Sequence, residues 1–371
     1  MKQGWEYKKI GNICNITTGK LDANAANEDG LYPFFTCSRI PLSINTYAYD
    51  CECILIAGNG DLNVKYYNGK FNAYQRTYIL QLKNDVNGVE MRYIFAFFNL
   101  YIEELRRKSI GGIIKYIKLG DLTNALLPLP DITTQLSIVS ELDKINELIR
   151  LKKEQLKDYD NLAQSIFYEM FGDPVENEKG WEVKKWKEVF NTILGKMLDK
   201  SKQINHLKQY KYLANMNVQW GYFDLKELRS MTFTDEELAK YELRNNDLLI
   251  CEGGDAGRCA IWKETDETIL FQKAIHRARL IDTDNADVVY IRYWMQFYKV
   301  NKGLKDYISK STIEHLTGDK LKRLPIPLPP LPLQHLFAQR IEQIERQKSA
   351  VQKSITDLET ILASRMQYWF E

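Results

Sequence analysis

The 371-residue chain has no long apolar run. Its longest, Tyr93 to Ile102, is about ten residues, interrupted by Asn99, and falls well short of the roughly 20 that a membrane-crossing helix needs. The opening residues, Met1-Lys2-Gln3-Gly4-Trp5-Glu6, contain no apolar segment of secretory length, so a cytoplasmic protein is expected. Histidine is scarce, with four scattered residues, and none of the six cysteines forms a CxxC pair, so no metal site is expected. Without an export signal the cysteines are expected to be thiols. Phosphate cradles are missing too. Gly58-Asn59-Gly60 has no third glycine opening a helix, and Gly19-Lys20 and Gly195-Lys196 lack the glycine spacing and following Ser/Thr of a P-loop. Net charge is only +2, which neither demands nor forbids a polyanionic partner.

What the chain does have is itself, twice. Gly4-Trp5-Glu6-Tyr7-Lys8-Lys9 returns as Gly180-Trp181-Glu182-Val183-Lys184-Lys185, and Gly19-Lys20 as Gly195-Lys196. Leu55-Ile56-Ala57-Gly58-Asn59-Gly60-Asp61 is answered by Leu249-Ile250-Cys251-Glu252-Gly253-Gly254-Asp255, at an offset 18 residues larger. Insertions of that kind usually sit in loops. Arg92-Tyr93 aligns with Arg292-Tyr293, and Leu127-Pro128-Leu129-Pro130 with Ile326-Pro327-Leu328-Pro329. Self-similarity in fixed order marks a duplicated architecture.

Each proline cluster leads into about 40 residues almost free of Pro and Gly. In the first, Ile138, Leu142, Ile145, Ile149, Leu156, Tyr159, Ala163, Ile166 and Met170 advance by threes and fours, with Lys152 as the polar interruption. In the second, Phe337, Ile341, Ile344, Val351, Ile355, Leu358, Leu362 and Trp369 repeat the seam, interrupted by Lys348 and Arg365. This is a heptad pattern. A helix of that length is roughly 60 Å long and cannot bury its stripe alone. The spacing predicts that the two helices pair antiparallel within the chain; the alternative is that each lies along its own globular half.

The intervening segments, rich in Tyr, Thr, Ile and Phe and punctuated by Gly, Asn and Pro, read as short strands and turns. A helix is expected from near Asn87, where Asn87-Gly88-Val89-Glu90 has capping-box spacing ahead of Met91 to Lys108, and again over Val288 to Lys305 after Asp284 to Asp287. The fold class is therefore α+β, divided at 1–130, 131–172, 173–329 and 330–371, with net charges of +3, −3, +2 and 0. The globular halves are the basic parts.

No catalytic constellation stands out. The repeated Glu6-Tyr7-Lys8 and Glu182-Val183-Lys184 have the acid-x-Lys ending of metal-dependent nucleases, but the first copy has no upstream carboxylate, so both read as entry strands. Neither Asn-Pro-Pro-Tyr nor Asp-Pro-Pro-Tyr, the strand ends that hold an amino group for methyl transfer, occurs. The residues left over suit recognition. Tyr74-Gln75-Arg76 and Gln272-Lys273-Ala274-Ile275-His276-Arg277 carry amide and guanidinium groups with the donor patterns that read adenine and guanine edges. Lys20, Lys65, Lys196 and Lys273 are candidate phosphate contacts. The alternative is structural: Arg76 or Arg277 in an ion pair, Tyr74 in a core.

The order of parts resembles the specificity subunit of type I restriction-modification systems along essentially the whole chain. The resemblance rests on the paired Gly-Trp-Glu entries, the Gly-Asn-Gly-Asp and Gly-Gly-Asp-Ala-Gly turns, and the exits Leu127 to Gln135 and Ile326 to Gln334. It implies two target recognition domains, each reading half of a split duplex-DNA sequence, and an antiparallel helical spacer, with Asn59, Asp61 and Asp255 in turns near the DNA. It also implies a prokaryotic, non-catalytic chain that binds no cofactor. The expected partners are two methyltransferase subunits carrying S-adenosylmethionine and motor-nuclease subunits carrying ATP and Mg²⁺. A spacer altered by four residues would shift one reader by about 6 Å. Two readings compete: the same fold in a type IIB system with a fused methyltransferase-nuclease partner, and a self-contained nuclease or methyltransferase.

Overall fold

Both proline exits lead into helices of the expected length, Ile132–Phe171 and Leu331–Phe370, each of 40 residues. The computed structural model describes residues 4–197, 208–263, 265–310 and 314–371. The chain forms two units, one from Met1–Gln155 with Val351–Glu371 and the other from Leu156–Ala350, so the division passes through both long helices.

Unit one contains β1 (Glu6–Lys9), β2 (Cys14–Thr18), β3 (Tyr32–Phe35), β4 (Leu42–Ile44), β5 (Tyr49–Ala57), β6 (Val64–Ala73), β7 (Thr77–Leu82) and β8 (Leu126–Leu129). Six of these make one sheet in the order β2-β7-β5-β6-β3-β4, antiparallel except where β3 runs along β6. The helix Met91–Lys108 covers one face through Tyr93, Ile94, Phe97 and Phe98. β1 and β8 form a separate antiparallel ribbon, with Tyr7 opposite Pro128. Proline is tolerated there because a two-stranded ribbon leaves one side of each strand unpaired.

Unit two repeats the plan with β9 (Glu182–Lys185), β10 (Phe190–Leu194), β11 (Gln209–Leu213), β12 (Arg229–Thr232), β13 (Leu248–Cys251), β14 (Cys259–Ile261), β15 (Ile269–Phe271), β16 (Ile275–Leu280), β17 (Ser309–Lys310), β18 (Glu314–His315) and β19 (Pro325–Leu328). The order β10-β16-β13 answers β2-β7-β5, and the ribbon β9-β19 answers β1-β8. The extra residues do not lie in loops alone. They lengthen the connections on either side of β12, and residues 233–247, which stand where unit one has only 45–48, include the helix Asp235–Tyr241.

The seam is real, and it does two jobs. All of its assigned positions are buried or half-buried. In unit one Glu141 holds Arg365 and Lys153 holds Glu359, so partner numbers fall as the first helix advances, as antiparallel pairing requires. In unit two Asp160 meets Lys348, and Met170 meets Arg340. Two of the polar interruptions, Lys348 and Arg365, are thus ion-paired to the opposite helix. Toward the helix ends the same stripe joins the globular cores. Ile138 and Leu142 lie in that of unit one with Phe370, and Phe167, Phe171, Phe337 and Ile341 in that of unit two. Ile149, Val351 and Ile355 are buried along the helix pair of unit one.

One glutamine ties each exit to the sheet-covering helix. Gln135 is fully buried; its Oε1 accepts from the Glu90 amide at 3.0 Å, and its Nε2 donates to the carbonyls of Gly88 and Pro130. Gln334 does the same with Asp287, Asn285 and Pro329. Beside them Tyr93 and Tyr290 donate to Pro128 O and Pro327 O, each at 2.7 Å. This motif fixes the repeat alignment and corrects two expectations. Tyr93 corresponds to Tyr290, about one helical turn before Tyr293. The first helix is capped not by Asn87 but by Glu90, whose carboxylate accepts from Arg92 N; the second is capped by Asp287 and ends at Val300 instead of Lys305.

Candidate nucleic-acid interface

In unit one the recognition candidates gather on a single rim of the sheet. β2 is followed by Gly19, whose amide donates to Thr77 O at 3.1 Å; a Cβ there would sit 2.1 Å from Ala73 O, so only glycine lets the chain cross at that height. Lys20 follows, exposed on the rim. Tyr74-Gln75-Arg76 forms the tight turn between β6 and β7, closed by Thr77 N to Tyr74 O at 2.8 Å. Its backbone is pinned on all sides: Tyr74 N donates to Phe35 O, Gln75 N to Leu21 O, and Arg76 O accepts from Gly58 N. The Gln75 and Arg76 side chains stay exposed and Tyr74 is half-buried. Asn59-Gly60-Asp61 makes the neighbouring turn, with Gly60 at φ +69°. The structure therefore joins Lys20, Asn59, Tyr74, Gln75 and Arg76 on one edge, held by rigid backbone. Gly19→Ala is expected to lower unfolding free energy by about 2–3 kcal/mol in a denaturant titration, with Gly195→Ala, whose Cβ would lie 2.4 Å from Gln272 O, behaving alike.

Two candidates in this unit have internal duties. Asp61 accepts from Arg39 at 2.7 Å and Arg106 at 3.3 Å, and the hydrogen bond from Arg39 holds its carboxyl below the usual range. Lys65 is half-buried on β6 against Asn63, and burial pulls its ammonium pKa down. Asp61 thus positions arginines, and Lys65 does not face outward as a phosphate contact would.

Unit two builds the same rim by the same bonds. Gly195 N donates to Ile275 O, Lys196 bridges Gln272 as Leu21 bridges Tyr74, and Ile275 N closes the turn onto Gln272 O at 3.0 Å. Glu252 N reaches Ala274 O as Gly58 N reaches Arg76 O. This register makes Gln272-Lys273-Ala274 the counterpart of Tyr74-Gln75-Arg76 and places Arg277 three residues beyond the turn. Arg277 lies within β16, opposite Leu249, as Ile79 lies opposite Leu55.

Four candidates in unit two are accordingly reassigned. Arg277 is 7% exposed and donates to the carbonyls of Lys240 and Glu242 at the end of the extra helix. His276 is 1% exposed, its Nε2 3.2 Å from Leu316 O. Lys196 turns inward to Thr232 O and Glu237, and Asp255 takes Lys299 and the indole of Trp220. The reason is common to Arg277 and Lys196: residues 233–247 fold over this part of the sheet and supply their partners. Asp247, 1% exposed, anchors the same segment through two 2.7 Å bonds from Arg279. Gln272, half-buried, and Lys273, exposed, remain on the rim.

Burial pushes the His276 pKa down to about 4. The unfolded chain therefore takes up this proton first, and stability falls as pH drops from 6.5 toward 5, by up to about 1.4 kcal/mol per pH unit. Urea midpoints over that window should show the loss, and His276→Gln should flatten it.

Other rim residues escaped the sequence patterns. In unit one Arg39 and Lys115 stand beside the Asn59–Asp61 turn. In unit two an open cleft of about 540 Å³ lies beside Gln272, lined also by Asn215, Gln219 and Arg258. Their donors are bonded to local backbone, Asn215 Nδ2 to Gly253 O, Gln219 Nε2 to Met216 O and the Arg258 guanidinium to Asn215 O, and no periodicity or motif marks them. The family model for the type I restriction modification DNA specificity domain matches residues 2–158 and 178–360. The type I restriction enzyme EcoDI specificity subunit of Escherichia coli is 24% identical over 95% of this chain and 84% of its own length. The MjaVIII specificity subunit of Methanocaldococcus jannaschii is 22% identical over 92% and 86%. Among solved structures, the type I restriction-modification S subunit from M. genitalium superposes with a TM-score of 0.59 at 13% identity, covering 100% of this chain and 98% of that one. A chain from a structure on complex assembly and conformational transition of the type I R-M system gives 0.62 at 17% identity, with the same coverage. Among the described residues no helix is long and apolar enough to cross a membrane. With both repeats matched by one family model and the fold shared end to end, the chain belongs to the family of type I restriction-modification DNA specificity subunits.

Proposed function

We propose that each unit reads one half of a bipartite duplex-DNA target and that the chain itself performs no chemistry. The observation that carries this reading is the duplicated rim: one backbone scaffold, pinned by equivalent hydrogen bonds, presents Tyr74-Gln75-Arg76 in one unit and Gln272-Lys273-Ala274 in the other. A conserved frame with exchanged side chains suits two readers of unlike sequences, since phosphate contacts position a protein and base contacts specify it. Methyl transfer and cleavage then belong to partners: methyltransferase subunits supplying S-adenosylmethionine, and motor-nuclease subunits supplying ATP and Mg²⁺.

The test is to co-express the chain with the methyltransferase of its own locus and map methylated adenines across the host genome. One split motif with two dissimilar halves is expected. A purified chain that methylates or cleaves DNA without other subunits would overturn the reading, as would a complex whose DNA affinity does not fall with salt.

A further inference from the structure

Unit one carries an apolar hairpin tip that the rim described above does not explain. Ile110 and Tyr116 close the hairpin with backbone bonds of 3.0 and 2.8 Å, and its tip exposes Ile113 completely and Ile114 to 61%. The tip has a defined shape. Gly111 sits at φ +120°, and a Cβ there would lie 2.5 Å from Ile114 O. The hairpin is tied to the recognition rim, with Gly60 N donating to Lys115 O at 2.9 Å and Ile117 N to Gly58 O at 3.0 Å. From Arg106 to Gly120 the chain has five basic residues and no acidic one. Arg106, Arg107 and Lys108 pair with acids on their own helix, whereas Lys115 and Lys118 are exposed and, among the described residues, form no ion pair.

We propose that Ile113 and Ile114 form a wedge that enters between stacked base pairs of the half-site read by unit one, with Lys115 and Lys118 on the flanking phosphates. The inference rests on the DNA-reading function above and adds deformation to it. Even with the partly exposed Ile110, Tyr116 and Leu119 of the same segment, the apolar surface falls short of the about 800 Å² that a stable protein interface needs from each partner. One or two apolar side chains are enough to open a base step and kink a duplex, provided cations hold the backbone on either side. Such a wedge makes the deformability of the step part of the target, so unit one would select sequence at a position it never hydrogen-bonds.

The experiment uses the full chain assembled with its methyltransferase subunits on duplexes carrying the mapped target. 2-Aminopurine is moved step by step through the half-site of unit one, away from the adenine that is methylated. The unaltered complex should raise fluorescence at one step, and Ile113→Ser with Ile114→Ser should lose that rise while still binding the duplex. Ile113→Leu with Ile114→Leu should keep it. A serine variant that unstacks the step as well as the unaltered chain overturns the wedge alone. A serine variant that no longer co-elutes with the methyltransferase subunits makes the tip a protein-docking knob and likewise overturns it. An unaltered complex that binds no target duplex overturns the DNA-reading function itself.

Discussion

Replacing Gln135 with leucine is expected to remove about 4 kcal/mol from the stability of unit one, and Gln334→Leu the same from unit two. The side chains are similar in volume, so the loss is one of hydrogen bonding and not of space. Leucine strands the Glu90 amide and leaves the carbonyls of Gly88 and Pro130 without this donor, all close to a fully buried amide. A buried polar group left unmet costs about 1–3 kcal/mol, and three are affected in each unit. Two-step urea unfolding, followed by tryptophan emission, should show the early transition move in each variant. Gln135→Glu makes a sharper control, because it keeps the acceptor for Glu90 but loses the donor to both carbonyls. It should be as damaging at neutral pH and milder at low pH, where the protonated acid donates again.

The second large effect separates reading from building. Arg76→Ala should leave stability unchanged within about 0.5 kcal/mol and relax the methylated motif at one position of one half-site, a loss of discrimination of about 1–3 kcal/mol. Arg277→Ala should do the reverse. It removes the donor to Lys240 O and Glu242 O, which terminate the helix Asp235–Tyr241, and should cost about 3 kcal/mol while leaving the motif intact. Motif mapping and denaturation on the same two variants decide the matter. A relaxed motif in Arg277→Ala would mean that the extra segment of unit two lifts away from the sheet when DNA binds.

These two arginines also show where sequence reasoning reached and where it stopped. The long helices were legible because a period of 3.5 sustained over about 40 residues, with no Gly and with Pro only at the start of the second, has no other stable interpretation. Tyr74-Gln75-Arg76 was legible as a polar run with base-reading side chains, though not as the turn between β6 and β7. Gly19 and Gly195 were visible as a repeat, though not as the steric gates they are. Arg277 reads as an exposed contact because a polar run precedes it as one precedes Arg76, whereas strand register places it inside β16 opposite Leu249, beneath residues 233–247. Lys196 was misread for a related reason: its partner Glu237 lies on the helix of residues 233–247, a long-range contact that no local pattern encodes. The Glu90 cap was missed because a distant glutamine decides which backbone group at that helix start is satisfied. The hairpin tip at Ile113 could have been noticed, as two isoleucines beside two glycines and a lysine in an otherwise basic stretch, but exposure is a property of the fold.

The way unit one is completed sets the order in which the protein can be made. Its core closes only when Phe370 packs on Tyr93 and Phe97, with Trp369 stacked on Trp5. Roughly 200 residues separate the two parts of that unit along the chain. At synthesis rates of about 5–20 residues per second, the amino-terminal part waits on the order of 10–40 s for its last pieces, while the unit encoded later is contiguous and has all its residues first. The half that begins translation is thus the half that finishes folding, and a nascent chain stalled before Val351 would expose an unfinished aromatic core to chaperones.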